Sequence, residues 1–170
     1  MHLNIEIKAR CQHQETIRQL LQERDADFRG TDHQIDTYFI VPNGRLKLRE
    51  GNIENNLIHY QRPDQAGPKA SEVHLYQPTE SESLKALLQA SLGIKVVVDK
   101  QREIYFIDNV KFHLDTVKSL GTFVEIEAID EDGSIGAERL YEQCQFYLRL
   151  FAIQEEDLLQ NSYSDMLLEQ

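Results

Sequence analysis

Several short stretches of this chain place charged or polar residues at every second position, with apolar residues between them. Asn4, Glu6, Lys8 and Arg10 alternate with Ile5, Ile7 and Ala9. Arg45, Lys47 and Arg49 alternate with Leu46 and Leu48; Lys111, His113 and Asp115 alternate with Phe112 and Leu114. Glu125 and Glu127 alternate with Val124 and Ile126, and Lys100 and Arg102 share a face. In a β-strand successive side chains point to opposite faces, so each stretch has one charged face and one apolar face. The charges are also sorted by sign, three cations on one strand and two carboxylates on another. For any one strand alone, a solvated sheet face is a sufficient account. Exposed faces normally carry more Ser and Thr than these do. If the charged faces converge inside a closed barrel, the interior has a cationic wall and an acidic wall, which is costly unless something fills it. A polyphosphate with a divalent cation would satisfy both walls, because Arg and Lys bind phosphate oxygens and carboxylates hold a hard cation.

Length and charge bound the alternatives. The 170 residues suit one domain with a proper core, spanning 1–170, and 41% hydrophobic with 28% charged residues is ordinary for a globular protein. A net charge of −11 argues against broad contact with nucleic acid or an anionic membrane, but leaves room for a local basic pocket. No apolar run is long enough to span a bilayer, and the N-terminus lacks the basic-then-apolar pattern of a secretory signal. Cys11 and Cys144 lack metal-like spacing, so a cytoplasmic protein with reduced thiols is expected.

Strands are expected over 3–10, 36–41, 45–50, 56–62, 71–76, 96–99, 102–108, 110–116 and 122–129, with Asp108 and Asn109 forming a hairpin turn. Helices are expected over 14–24, 80–92 and 134–151, with a short acidic one over 155–160. Thr79 and Glu82 form a capping-box pattern ahead of the stripe Leu84, Leu87, Leu88 and Leu92, and Gly93 suits the helix end. The sum is strand-rich α+β with antiparallel pairing. No Gly-rich loop joins a strand to a helix, so a P-loop or Rossmann fold has no support.

In order along the chain, "NIEIK", "HQIDTYF", "GRLKLRE", "YQRPD…GPK", "DKQREIYF", "KFHLDTV", "LGTFVEIE" and "NSYSDML" resemble the CYTH superfamily, the triphosphate tunnel proteins. Within it, the resemblance is greatest to class IV adenylyl cyclases and their bacterial relatives. It implies a closed antiparallel β-barrel of about eight strands, with helices packed outside, binding a triphosphate with Mg²⁺ or Mn²⁺. Carried over by position, Glu6, Glu125 and Glu127 match the metal-binding glutamates, and Asp115 an acidic residue near the metal and a candidate proton acceptor. Lys8 matches the phosphate-binding lysine of the signature. Arg45, Lys47, Arg49, Lys100 and Arg102 match the basic strands, and Arg62 and Lys69 lie where the family has basic residues; if prolines are aligned, Gln61 takes the place of Arg62. Asn4 departs from the pattern, which has a glutamate there. An amide oxygen still ligates a hard cation but carries no charge and cannot act as a general base.

Two chemistries fit such a tunnel. In a cyclase the ribose 3′-hydroxyl of ATP attacks the α-phosphorus and pyrophosphate leaves. In a triphosphatase water attacks the terminal phosphorus of tripolyphosphate, thiamine triphosphate or a nucleotide. A non-catalytic polyphosphate or nucleotide binder is a third reading. A homodimer is expected by analogy alone. His33, His59 and His74 read as structural or surface residues, His113 as a lumen candidate, Asp36 and Tyr38 as ordering a strand entry, and Cys144 as core.

Overall fold

Residues 3–10 form a strand whose two faces go to different places. In the computed structural model, which describes residues 2–61 and 63–170, β1 (Leu3–Arg10) buries Ile5, Ile7 and Ala9 beneath two helices and turns Asn4, Glu6 and Lys8 towards an interior cavity. The other seven strands, β2 (Asp27–Phe39), β3 (Arg45–Glu50), β4 (Asn56–Gln61), β5 (Lys69–Tyr76), β6 (Ile94–Ile107), β7 (Val110–Val117) and β8 (Gly121–Asp130), also turn alternate residues towards this cavity. These eight strands close a barrel in the order β1-β5-β4-β3-β2-β6-β7-β8, every neighbouring pair antiparallel, with β8 returning to β1. Closure leaves no free edge, so the backbone groups of each strand are paired on both sides.

The outer apolar face forms the main core. Helix α1 (Gln14–Glu23) contributes Ile17 and Leu21, and α3 (Ala137–Leu150) contributes Leu140, Cys144 and Tyr147, packed on Ile5, Ile7, Phe112 and Ile126. Phe112 meets the rings of Tyr147 and Phe151 edge-on at 4.7 and 5.6 Å. Each such side chain withdrawn from water stabilises the fold by about 1.5–3 kcal/mol. This layer fixes the register of β1, β7 and β8, and with it the direction of their charged faces.

Five expectations change in detail. The strands expected at 96–99 and 102–108 are one, β6, because Lys100 and Arg102 turn inward to carboxylates and do not interrupt the ladder. β2 begins at Asp27 and pairs along most of β6, with register shifts at Phe28/Gly30 and Tyr38/Phe39. α2 (Ser81–Leu92) is preceded by Glu80 and has no side-chain cap from Thr79; none of its residues is fully buried, and Leu87 is 62% exposed. The segment 155–160 forms only a 3₁₀ turn at Glu155–Asp157, and α3 starts at Ala137 because Asp130 accepts hydrogen bonds from the amides of Gly133, Ile135 and Gly136.

One end of the barrel is closed by the C-terminal segment. Leu158 bridges to Ala9, the Leu159 amide donates to the carbonyl of Lys8, and α4 (Tyr163–Leu168) follows, with Ser162 and Asp165 forming a reciprocal capping box. Tyr163 joins Tyr38, Ile58, Tyr60, Val98, Val117 and Phe123 in a second apolar cluster.

Candidate active site in the barrel interior

The inward faces line a cavity of about 280 Å³. Among the described residues six cations reach it, Lys8, Lys47, Arg49, Lys100, Arg102 and Lys111, and so do six carboxylates, Glu6, Asp36, Glu54, Glu125, Glu127 and Glu131. Burying so many charges is tolerable only where each is paired or hydrogen-bonded, and the pairing is systematic.

On the cationic side Asp36 is the organising group. Its carboxylate accepts from Arg49 Nε and Nη2 at 2.9 Å each and from Lys100 Nζ at 2.7 Å, with Lys47 Nζ at 3.4 Å. Burial pushes the Asp36 carboxyl up, but the charges of Arg49, Lys100 and Lys47 outweigh it and hold it well below the usual carboxylate range. Burial, against the attraction of Asp36, pulls Lys100 well below an ordinary lysine. Lys47 lies 3.3 Å from the Tyr38 hydroxyl, and burial pushes that phenol up to about 12.

On the acidic side, register places Glu6 of β1 directly opposite Glu127 of β8, and Lys8 opposite Glu125. Glu125 meets Lys8 and Arg102, each at 3.4 Å, and His113 Nδ1 at 3.0 Å. Burial raises the Glu125 carboxyl, while Arg102 and Lys8 bring it well below its ordinary value. Lys8 lies 3.9 Å from the centre of the Tyr163 ring, and burial lowers its pKa. The Asn4 side-chain N–H donates to Glu127, and the buried Asn4 Oδ1 and His113 Nε2 have no hydrogen-bond partner.

These donors suit a hard divalent cation of a particular kind. Among the described residues no group of three or more His, Cys, Asp or Glu side chains is close enough to hold a metal by itself. Mg²⁺ commonly takes one or two carboxylates and completes its shell with water and substrate phosphates. Glu6 and Glu127 on adjacent strands, with the unpartnered Asn4 oxygen beside them, match that incomplete set.

Of the residues singled out in the sequence, Glu6, Lys8, Lys47, Arg49, Lys100, Arg102, Glu125 and Glu127 line the cavity together. Three do not. Asp115 is fully buried behind Arg102, to which it makes two 2.7 Å hydrogen bonds, and it also accepts from the Tyr163 hydroxyl at 2.7 Å. Its oxygens orient Arg102, so neither lies on the cavity wall for a metal or a proton. Arg45 turns to the C-terminal segment, donating to Ser162 Oγ at 2.5 Å and Asp165 at 2.8 Å. Lys69 is buried and donates to the carbonyl of Gln160 at 2.6 Å, which anchors the same segment. The expectation at Arg62 lies outside the described residues.

Sequence reasoning missed Asp36 as the centre of the cation cluster, and it missed Glu54 and Lys111 at the open end. Lys111 shares the alternation of His113, so the signal was present. Tyr163 stood within "NSYSDML" with no role assigned.

A closed eight-stranded antiparallel barrel with a charged interior and external helices is a triphosphate-tunnel architecture. Residues 2–163 match the profile of the CYTH domain, and the chain belongs to the CYTH domain family. A candidate adenylate cyclase of Methanocaldococcus jannaschii is 25% identical over 146 residues, covering 84% of this chain and 75% of the relative. The crystal structure of a candidate adenylate cyclase from Vibrio parahaemolyticus superposes with a TM-score of 0.80 at 17% identity, covering 98% of each chain. A Hippeastrum protein described as a candidate adenylyl cyclase with a dominant triphosphatase activity superposes with a TM-score of 0.63 at 15% identity, covering 99% of this chain and 94% of that one. No helix among the described residues is long and apolar enough to cross a membrane.

Proposed function

We propose that this protein is a divalent-metal-dependent enzyme acting on a nucleoside triphosphate, with cyclisation of ATP to cyclic AMP and pyrophosphate as its reaction. The observation that carries the reading is the pairing of two walls in one cavity: cations organised by Asp36 face carboxylates set opposite one another at Glu6 and Glu127. Such a cavity complements a polyanion with its counter-cation. The archaeal relative's name points the same way.

In this reading Lys8, Lys47, Arg49, Lys100 and Arg102 bind the phosphate chain, and their carboxylate partners pre-orient them. The 3′-hydroxyl attacks the α-phosphorus as its proton passes to solvent, the bond to the bridging oxygen breaks, and pyrophosphate departs as its charge is taken up by lysine and arginine. Mg²⁺ or Mn²⁺, held by Glu6, Glu127 and the Asn4 oxygen, supplies Lewis-acid neutralisation of phosphate charge when bound. Most of the rate then comes from positioning and electrostatics, which need no covalent intermediate.

Hydrolysis of the triphosphate is the second reading. It is favoured by a lining rich in lysine, arginine and glutamate, groups that suit phosphate and metal. Incubation with ATP, and separately with tripolyphosphate, under Mg²⁺ and Mn²⁺ separates the two. Cyclic AMP with pyrophosphate supports cyclisation, orthophosphate without cyclic AMP supports hydrolysis, and binding without turnover overturns both.

A further inference from the structure

Glu54 differs from the other carboxylates that pair with cavity cations. Asp36, Asp115 and Glu125 are carried by β2, β7 and β8, whereas Glu54 lies in the turn between β3 and β4. That turn is folded over the barrel mouth by one side chain. The fully buried Asp32 accepts from the amides of Asn52 at 2.6 Å and of Ile53 and Glu54 at 2.9 Å each. Gly51 permits the approach, since a Cβ there would sit 2.7 Å from both Asp32 oxygens. Gln34 bridges the two acids, donating to Asp32 at 2.9 Å and to Glu54 at 3.0 Å.

Held there, the Glu54 carboxylate makes a salt bridge with Lys111 and lies 3.3 Å from Arg49 Nη1. Arg49 is thus divided. One edge is fixed to Asp36 within the strands, and the remaining nitrogen faces an acid on a turn. Lys8, Lys47, Lys100 and Arg102 stand instead on the Asp36 and Glu125 clusters. A phosphate oxygen is the same kind of acceptor as a carboxylate oxygen but carries more charge, so it competes for Arg49 and Lys111 on favourable terms.

Building on the function proposed above, we propose that Glu54 is a built-in stand-in for the outermost phosphate, displaced only by a chain long enough to reach Arg49 and Lys111. Glu54 then acts as a length-selecting residue. A diphosphate is accommodated by the four other cations without contesting the turn, whereas a triphosphate must take two cations from Glu54. Removing the carboxylate lowers the cost for long chains and leaves short ones unaffected.

The test is calorimetric binding of pyrophosphate, tripolyphosphate and tetrapolyphosphate to the full-length wild-type protein, Glu54→Gln and Glu54→Ala. The expected result is tripolyphosphate and tetrapolyphosphate bound about tenfold more tightly by both variants, with pyrophosphate changed by less than about twofold. Tripolyphosphate bound no more tightly, or pyrophosphate tightened equally, overturns the assignment. A wild-type protein that binds tripolyphosphate while the variants match it counts against Glu54 alone. Wild-type and variant proteins that bind none of the three count against the triphosphate function itself, and the inference falls with it.

Discussion

Glu6 and Glu127 stand directly opposite each other on adjacent strands, both lining the interior of the barrel. Like charges directly opposite one another repel, and a divalent cation placed between the two carboxylates would be held by both. Mn²⁺ is therefore expected to raise the melting temperature. At a concentration about a hundredfold above its dissociation constant, linkage gives about 2.7 kcal/mol, or about 5–10 °C for a chain of this size. Glu127→Gln keeps the shape and removes one charge. Its melting temperature without metal should equal or exceed wild type, and the Mn²⁺-dependent rise should vanish. A variant that keeps the full rise in a thermal-shift titration removes Glu127 from the metal site.

Asp36 is expected to be the most costly interior carboxylate to neutralise. It is fully buried and faces Arg49, Lys100 and Lys47. Asp36→Asn leaves three cations crowded around a neutral amide, and breaking a buried ionic cluster by removing one partner costs about 3–5 kcal/mol. Lys100→Met should cost less, because Asp36 keeps Arg49 and Lys47. Urea unfolding of the two variants gives the order, and equal midpoints would show that Asp36 does not organise the cluster.

The same group gives a pH dependence of definite sign. The native Asp36 carboxyl is held well below its unfolded value of about 3.9. As pH falls towards that value the unfolded chain takes up the proton first, so the Asp36 contribution is present above about pH 5 and is lost progressively below it. Asp36→Asn lacks this contribution at every pH. The stability gap between wild type and variant, followed by urea unfolding from pH 7 to pH 3, should therefore narrow on the acid side. A constant gap would mean that the carboxylate is not ionised in the native cluster.

What could be seen in the sequence was whatever had an apolar counter-face. Lys47 and Arg49 stood out because Leu46 and Leu48 lay between them, and Glu125 and Glu127 because Val124 and Ile126 did. Asp32, Gln34 and Asp36 alternate as regularly, but β2 carries Thr31 and His33 on its other face, both exposed, so no amphipathic contrast marked the strand. Glu54 had no periodicity at all. Its place depends on Asp32, distant in sequence, gathering three amides of the turn. Arg45 and Lys69 share the parity of their inward neighbours but lie towards the closed end, where the C-terminal segment claims them. Period two reports which face a side chain is on, and it is silent on how far along the barrel that side chain sits.

Asn4 is where this chain departs from its family's first glutamate, and its surroundings predict what restoring that acid would do. Its amide N–H donates to Glu127 while its own oxygen is buried without a partner. Asn4→Glu replaces the donor with a third carboxylate beside Glu127 and near Glu6. Without metal the variant loses a hydrogen bond and gains repulsion, so it should melt below wild type, by about 1–3 kcal/mol in stability. With Mn²⁺ the added charge becomes a ligand, and the order should invert: tighter binding and a larger metal-dependent rise than wild type. A thermal-shift titration of both proteins decides the point. If Asn4→Glu is destabilised and its Mn²⁺ affinity is unchanged, the position lies outside the metal's reach, and the amide serves only to hold Glu127 in place.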